Sequence, residues 1–547
     1  MVFVATLDVG TTTVRCFIFN AKCEVLGSST ERVDLLNPQP GYFEIEPESL
    51  WRKIVKVINA AVVEARLKPT DITSFGLSTQ RCTFLTWNHE AQEYYHNFIT
   101  WKDLRANELV DQWNAGMAIK SLNIVSYGLY LLTRSNRFLA ASVLKMMNGQ
   151  ITLRLLHSLE NNPRLREALK RKKARVELLD SWILYKLRSG NGIDKNIDHI
   201  SDITSATATG LFDPFTLSWS PLGKVLFGIE PWLLPKVVDN GYRYFGHIHP
   251  NALGPEWQNT FISIEAVVSD QTAALWGSQC FERGDVKITM GTGAFLNLNT
   301  GNDCHASLMG MYPLVAWQFR DIQERAQTVY CVEGASHDMG TVIEWAQQCG
   351  FFTSPMETSA IAESVSDTNG VYFIPSFSGL GPPINDHRAA SGFIGITPST
   401  TREHLVRAIL ESIVFRIVQL CETVEKESKY TLRLLRVDGG VSHNDFVCQL
   451  LADATGSCVE RATSIESSIL GATYMVGYNC GLWNSFDKLR RLRQIERTFM
   501  PRPEYYSSIR KHIVIWLKAI ERFKNCLLRS RWNQSGIEVE ASESIGS

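Results

Sequence analysis

The sequence predicts an α/β chain built as two large domains, and three observations predict it. The first is length, since 547 residues exceed what a single ordinary core organises. The second is a pair of glycine-threonine turns, DVGTTTVR at Asp8–Arg15 and MGTGAFL at Met290–Leu296, nearly half the chain apart. Each closes one apolar strand and opens another. The third is LLRVDGGVSHNDF, where a β-rich run ends at Asp438-Gly439-Gly440 and a helical pattern follows from about Asn444.

In chain order, residues 1–278 read as strands alternating with helices and end in the strand-turn-helix VVSDQTAALWG. An early helix over 51–65 repeats apolar positions at Leu50, Ile54, Ile58 and Ala61, so one face packs on a sheet, and Pro47 sets its entry. Residues 115–178 carry less pattern and include the basic run NNPRLREALKRKKARVE, either a solvated helix surface or a docking surface. A second domain begins near Gly284. In it, Ile409, Ile413, Ile417 and Leu420 fall on a 3.6-residue period, which describes a buried helix. Ile513, Trp516, Ile520, Phe523 and Leu527 form a last amphipathic helix with interleaved basic residues, suited to docking on its own domain or to touching a membrane surface. Residues 533–547 lack the apolar content to pack and read as a disordered tail.

A strand-turn-strand tip made of glycine and threonine exposes backbone N–H groups and hydroxyls without bulk, a geometry suited to phosphate oxygens. Neither turn is a Walker A loop, because no Gly-Lys-Ser/Thr follows and the next element is a strand. Either turn alone also describes a plain hairpin, and the Gly-Gly unit alone an ordinary strand-to-helix turn. Together they describe a polyphosphate clamp. Composition narrows the partners: 55 basic against 56 acidic residues leave a net charge of −1, with no electrostatic reason to expect nucleic acid. The start MVFVATLDVG has no basic stretch or cleavage site, and no span of the sequence reads as transmembrane, so a cytoplasmic protein is expected. Twelve scattered cysteines without a Cys-x-x-Cys pair read as reduced thiols. Oligomeric state is left open, with a homo-oligomer among the options.

A duplicated phosphate hairpin followed by a strand-Gly-Gly-helix unit resembles the nucleotide fold of actin, Hsp70 and the sugar kinases. Within that group the chain is similar to the FGGY carbohydrate kinases. SGFIGITPSTTREHLVRAILE at Ser391–Glu411 matches the family's second signature. PGYFEIEPESLW, FGLSTQR, FITW, SDITSATATGLFD, PSFSGLGPPINDHRA and RVDGGVSHNDF match in order, from residue 3 to about 525, and most resemble the glycerol kinases. The resemblance implies two actin-like (ribonuclease H-like) ATPase domains, 1–278 and 284–532, with nucleotide and substrate in the cleft between them. It implies ATP and Mg²⁺ as cofactors and a small polyol as substrate.

It also assigns roles. Asp270 follows the strand pattern Ala266–Ser269, and its carboxylate would project into the cleft as base and Mg²⁺ ligand; a helix cap is the alternative for the same residue. Asp8 would make a water-mediated Mg²⁺ contact, the alternative being a buried turn carboxylate. Thr11, Thr12 and Arg15 match phosphate-contacting positions, Arg15 having a structural ion pair as its alternative. Thr292 and Gly293 supply the opposite wall, while Gly340, Gly440 and Asn444 match nucleotide contacts. Gln80, Arg81, Trp101, Gln271 and Phe295 match the substrate side.

Three positions depart from the pattern. Glycerol kinases read glycerol with an Arg-Glu pair, and here Cys82 follows Arg81, a loss of about 1–3 kcal/mol if nothing compensates. The family's substrate tyrosine falls nearest Met146, and Glu344 replaces a glutamine near the adenosine. These departures keep three expectations in play: a glycerol kinase making sn-glycerol 3-phosphate, a kinase for another polyol or sugar, and a nucleotide-binding scaffold without turnover.

Overall fold

The computed structural model describes residues 2–526 apart from 89, 191–196, 242–244, 321–324, 387 and 465. Leu527 and the tail 533–547 lie outside the described residues. The principal strands form two sheets. The first comprises β1 (Val4–Val9), β2 (Thr13–Phe19), β3 (Val25–Arg32), β4 (Ser74–Thr79) and β5 (Ser263–Ser269), in the order β5-β4-β1-β2-β3. The second comprises β6 (Val286–Met290), β7 (Ala294–Gly301), β8 (Tyr312–Arg320), β9 (Ala326–Ser336), β10 (Leu434–Asp438), β11 (Cys458–Ala462) and β12 (Ile495–Phe499), in the order β8-β9-β7-β6-β10-β11-β12.

The sheets repeat one design. In each, an antiparallel hairpin (β1–β2, β6–β7) is followed by two parallel strands laid beside its first member (β4 and β5, β10 and β11). Both glycine-threonine tips and the carboxyl ends of the parallel strands therefore face one cleft, the place where open α/β sheets bind ligands. The same ends carry Arg81 after β4, Asp270 after β5 and Gly439 after β10.

Helices cover the sheets: α1 (Pro47–Glu64), α2 (Asn107–Ala115), α3 (Met117–Thr133), α4 (Asn136–Ser142), α5 (Ile151–Asn161), α6 (Asp270–Gly277), α7 (Gly340–Gln348), α8 (Arg402–Ser428), α9 (Asp445–Thr455), α10 (Ser467–Asn479) and α11 (Pro503–Phe523). Leu50, Ile54, Ile58 and Ala61 are all buried on α1, which starts at Pro47. Ile409, Ile413, Ile417 and Leu420 are buried on α8. On α11, Ile513, Trp516 and Ile520 pack into the core of the second sheet, and the Trp516 indole donates to Phe373 O at 2.8 Å, so its apolar face is covered by its own chain. The basic run forms a short exposed helix (Pro163–Lys170) with Arg164–Glu93 and Arg171–Glu167 ion pairs, a solvated surface.

One helix departs from a simple division by sequence. Although α10 lies in the second half of the chain, it packs on β1, β4 and β5 of the first sheet, in a core shared with Val4, Phe19 and Ala266. It reaches that place by crossing α6 at very short range. A Cβ on Gly471 would stand 1.6 Å from Ala273 O, and one on Gly277 would stand 2.0 Å from Ser467 O, so only glycine allows the crossing.

Candidate active site

The two hairpin tips form facing walls of a single cleft of about 2720 Å³, lined by residues from both sheets. On the first tip, Gly10 N–H donates to Thr13 O at 2.9 Å, and the Trp101 indole donates to the Thr11 hydroxyl at 2.9 Å. Thr12 is exposed at the apex. Gln80 is 2% exposed and stands behind this wall. Its amide donates to Gly10 O at 3.1 Å and accepts from the Thr11 and Thr83 hydroxyls at 3.2 Å. It braces the tip with both its amide groups engaged there. Arg15 lines the cleft and pairs with Glu466, the ion pair held open as its alternative.

On the second tip, Thr292 O accepts from Met339 N–H at 3.1 Å, and Gly340 N–H donates to Gly291 O at 3.0 Å, binding the start of α7 to the turn. A Cβ on Gly340 would meet Gly291 O at 2.7 Å, and one on Gly293 would meet Ser336 O at 2.8 Å. Gly439, at φ +86°, and Gly440 complete this wall, since a Cβ on Gly439 would meet Met290 O at 2.6 Å. Asn444 lines the cleft with its side chain already engaged: it caps α9 through Val447 N–H at 3.0 Å and donates to the Thr358 hydroxyl at 2.8 Å. Glu344 also lines the cleft, and its charge is felt by Lys102.

Asp270 is the first residue of α6 and one carboxylate oxygen accepts its neighbour's N–H, Gln271 N, at 2.7 Å. Burial pushes this carboxyl up to about 6, against the opposing pull of Arg81, with Asp8 adding to the rise. Asp8, 2% exposed, accepts from the Ser78 hydroxyl at 2.7 Å, and burial raises it too. Gln271 accepts from Lys287 Nζ at 2.7 Å, which leaves the amide NH₂ as its remaining donor toward a ligand. Trp101 and Phe295 meet edge to face at 6.1 Å across the cleft, joining the two halves.

The structure adds residues that sequence reasoning missed. Arg81 donates to both oxygens of Glu333 on β9, at 2.7 and 2.6 Å, with the two side chains 10% and 9% exposed. Asn297 donates to the same carboxylate at 2.8 Å. A carboxylate from the second sheet thus stands beside Arg81, although residue 82 is a thiol. Cys82, at φ +59°, donates instead to Ala208 O at 3.1 Å, and burial pushes its thiol up to about 11. Met146 is core: it packs with Val110, Ile119 and Leu153, and Asn114 holds its backbone. The phenol that reaches the cleft is Tyr312 on β8, half-buried, in contact with Met147 and within the fields of Cys82 and Glu333. Arg154 on α5 has no exposed surface and donates to five carbonyls: Gln150, Gly149, Cys82, Ile99 and Thr100. It ties the strand ends carrying Arg81 and Trp101 to the 149–150 turn. Glu333, Lys287 and Arg154 share one sequence signal, a lone charge inside an apolar run.

Asp8, Asp270 and Asp438 line the cleft as hard oxygen donors. Among the described residues no three acidic, histidine or cysteine side chains converge on a point that would hold an ion directly. That donor set fits Mg²⁺, which keeps several waters and binds through one or two carboxylates plus phosphate oxygens.

The FGGY carbohydrate kinase N-terminal domain matches residues 3–277 and the C-terminal domain residues 286–480. The chain is 41% identical over 527 residues to glycerol kinase 5 of Homo sapiens, covering 96% of each chain. It is 31% identical over 522 residues to glycerol kinase of Haloferax volcanii, covering 95% of this chain and 98% of that one. Among solved structures, Plasmodium falciparum glycerol kinase with ADP superposes with a TM-score of 0.82 at 25% identity, covering 96% and 98% of the two chains.

Proposed function

The chain belongs to the FGGY carbohydrate kinase family and is a phosphotransferase of two actin-like domains, and we propose that it converts ATP and glycerol to ADP and sn-glycerol 3-phosphate. The observation that carries the reading is the Asp270 carboxylate, set with Arg81 and Glu333 at the cleft wall formed with the two glycine tips. In this reading a glycerol hydroxyl is held beside Asp270, its oxygen bonds to the terminal phosphorus, the phosphorus–oxygen bond to ADP breaks, and the proton passes to Asp270. Arg81, oriented by Glu333, and the Gln271 NH₂ hold the remaining hydroxyls, and Trp101 with Phe295 packs on the carbon skeleton. Thr11, Thr12 and Arg15 hold phosphate from one side and Thr292 and Gly293 from the other. Gly340, Gly440 and Asn444 shape the nucleoside end. Asp8 and Asp270 would hold Mg²⁺ through water and phosphate, and the ion would supply charge neutralisation there.

We place the division of the halves at 278–284, with α6 and α10 as the crossing pair about which they move. Relatives named glycerol kinase support the substrate, and the Cys82 thiol favours a second reading in which another polyol is preferred. Among the described residues no helix is long and apolar enough to cross a membrane. A coupled assay of ADP release over glycerol and a polyol panel, with ³¹P NMR of the product, tests the reading. Glycerol-dependent ADP release with a glycerol 3-phosphate resonance is expected, and release that no polyol stimulates would overturn it.

A further inference from the structure

The cleft is much larger than the roughly 300–1,000 Å³ of ordinary small-molecule sites, and beyond the hairpin tips its wall carries a strip of apolar side chains beside polar ones such as Asp111, Asn114 and Asn123. From the reacting end the wall runs continuously outward. Tyr312, in the fields of Cys82 and Glu333, touches Met147, and the turn that follows Met147 is fastened to Cys82 by Arg154, which donates to both Gly149 O and Cys82 O. Leu144 and Ile119 of α3 pack in one cluster with Met146. Beyond it Leu122, Val125 and Leu129 of α3, at i, i+3 and i+7, line the same cleft as Asp270.

That face is open to water. Val125 is 59% exposed and Leu129 37% exposed, on a 17-residue helix whose only charged residue is Lys120. Water-facing apolar side chains inside a cleft that ends in Asp270, Arg81 and Glu333 describe an amphiphile's site, polar at the reacting end with an apolar strip along one wall. The thiol of Cys82 lies where the two regions meet, and it suits an ether or ester carbon better than a hydroxyl.

We propose that the preferred substrate is a glycerol carrying a single hydrocarbon chain, its free hydroxyl beside Asp270 and its chain along Met147, Leu144 and the inner face of α3. This rests on the polyol kinase reading above and uses the same transfer: the free hydroxyl oxygen bonds to the terminal phosphorus, the bond to ADP breaks, and Asp270 takes the proton.

The test uses the full chain with glycerol, 1-O-butylglycerol and 1-O-hexylglycerol below their micelle concentrations, followed by ADP release. The expected kcat/KM rises with chain length, at least tenfold from glycerol to the hexyl ether, within a ceiling of roughly fourfold per methylene set by hydrocarbon transfer. In a Val125→Asn/Leu129→Asn variant, changed only at water-facing positions, the hexyl-to-glycerol ratio should fall toward one. Turnover of glycerol with no gain for the ethers overturns the chain site and leaves the kinase reading standing. A gain that survives the double substitution overturns the assignment to α3. Absence of turnover on every alcohol overturns both readings.

Discussion

Removing the charge of Glu333 isolates what the second sheet contributes to the substrate end. Both oxygens of that carboxylate accept from Arg81, at 2.7 and 2.6 Å, and both side chains are nearly buried, so solvent screens the pair little. Truncating a buried pair outright costs about 3–5 kcal/mol because it strands a charge. Glu333→Gln is milder, since it keeps a neutral acceptor and loses one charge-assisted interaction of about 1.5–3 kcal/mol. If Arg81 holds the polyol equally in ground and transition states, KM for glycerol should rise about tenfold to 150-fold with kcat little changed. Cys82→Glu in the native background should gain less than tenfold, because its carboxylate would enter a region already occupied by Glu333 and Asp270. In the Glu333→Gln background the same substitution should recover most of the lost affinity. Steady-state ADP release at saturating ATP, with circular dichroism to verify folding, reads all four proteins. A Glu333→Gln KM within twofold of native, or a double variant no better than Glu333→Gln, would refute the reasoning.

Three further outcomes are expected. Ligand-free Asp270→Asn should be more stable than the native protein at pH 7: burial holds Asp270 at about 6 instead of 3.8, so between those values the folded chain keeps a proton the unfolded chain has released. Native stability therefore falls as pH rises through that window, by up to about 3 kcal/mol, and urea midpoints that fail to diverge between pH 4 and 7 contradict this. Arg154→Met should cost about 3 kcal/mol or more by taking a charged donor from five carbonyls, of which Thr100 O keeps the Asp103 N–H, read as a urea midpoint shift with raised glycerol KM; a native-like midpoint contradicts the tie. Solution scattering with Mg·ATP analogue and polyol should show a smaller radius than the free protein, and Gly471→Ala, whose Cβ would strike Ala273 O, should abolish the change; equal radii for the native protein in both states contradict closure about α6 and α10.

Much of the fold was legible because its signals are local. The glycine-threonine tips, the Asp438-Gly439-Gly440 turn and the period of α1 and α8 each lie within a few residues, and each formed the element its pattern predicts. Asp270 was legible for the same reason, as the junction of a strand and a helix. What stayed hidden depends on distance along the chain. Arg81 and Glu333 are 252 residues apart, and no spacing rule joins them. Tyr312 and Met147 are 165 apart, so no local pattern showed that a phenol stands in the cleft near Met146, where the family's tyrosine is missing. Gln80 and Asn444 were placed in the site by position, yet a motif does not reveal that their amides are already engaged. The placement of α10 on the first sheet was equally unreadable, because its all-round apolar sequence specifies burial without specifying where.

Single-turnover transfer by Asp270→Asn tests the central claim most directly. With ATP binding measured separately and unchanged, mixing enzyme, Mg·ATP and glycerol and quenching at intervals should show glycerol phosphate forming 10²–10⁴-fold more slowly than in the native protein. A variant that transfers phosphate at the native rate would remove Asp270 from the chemistry and contradict the account.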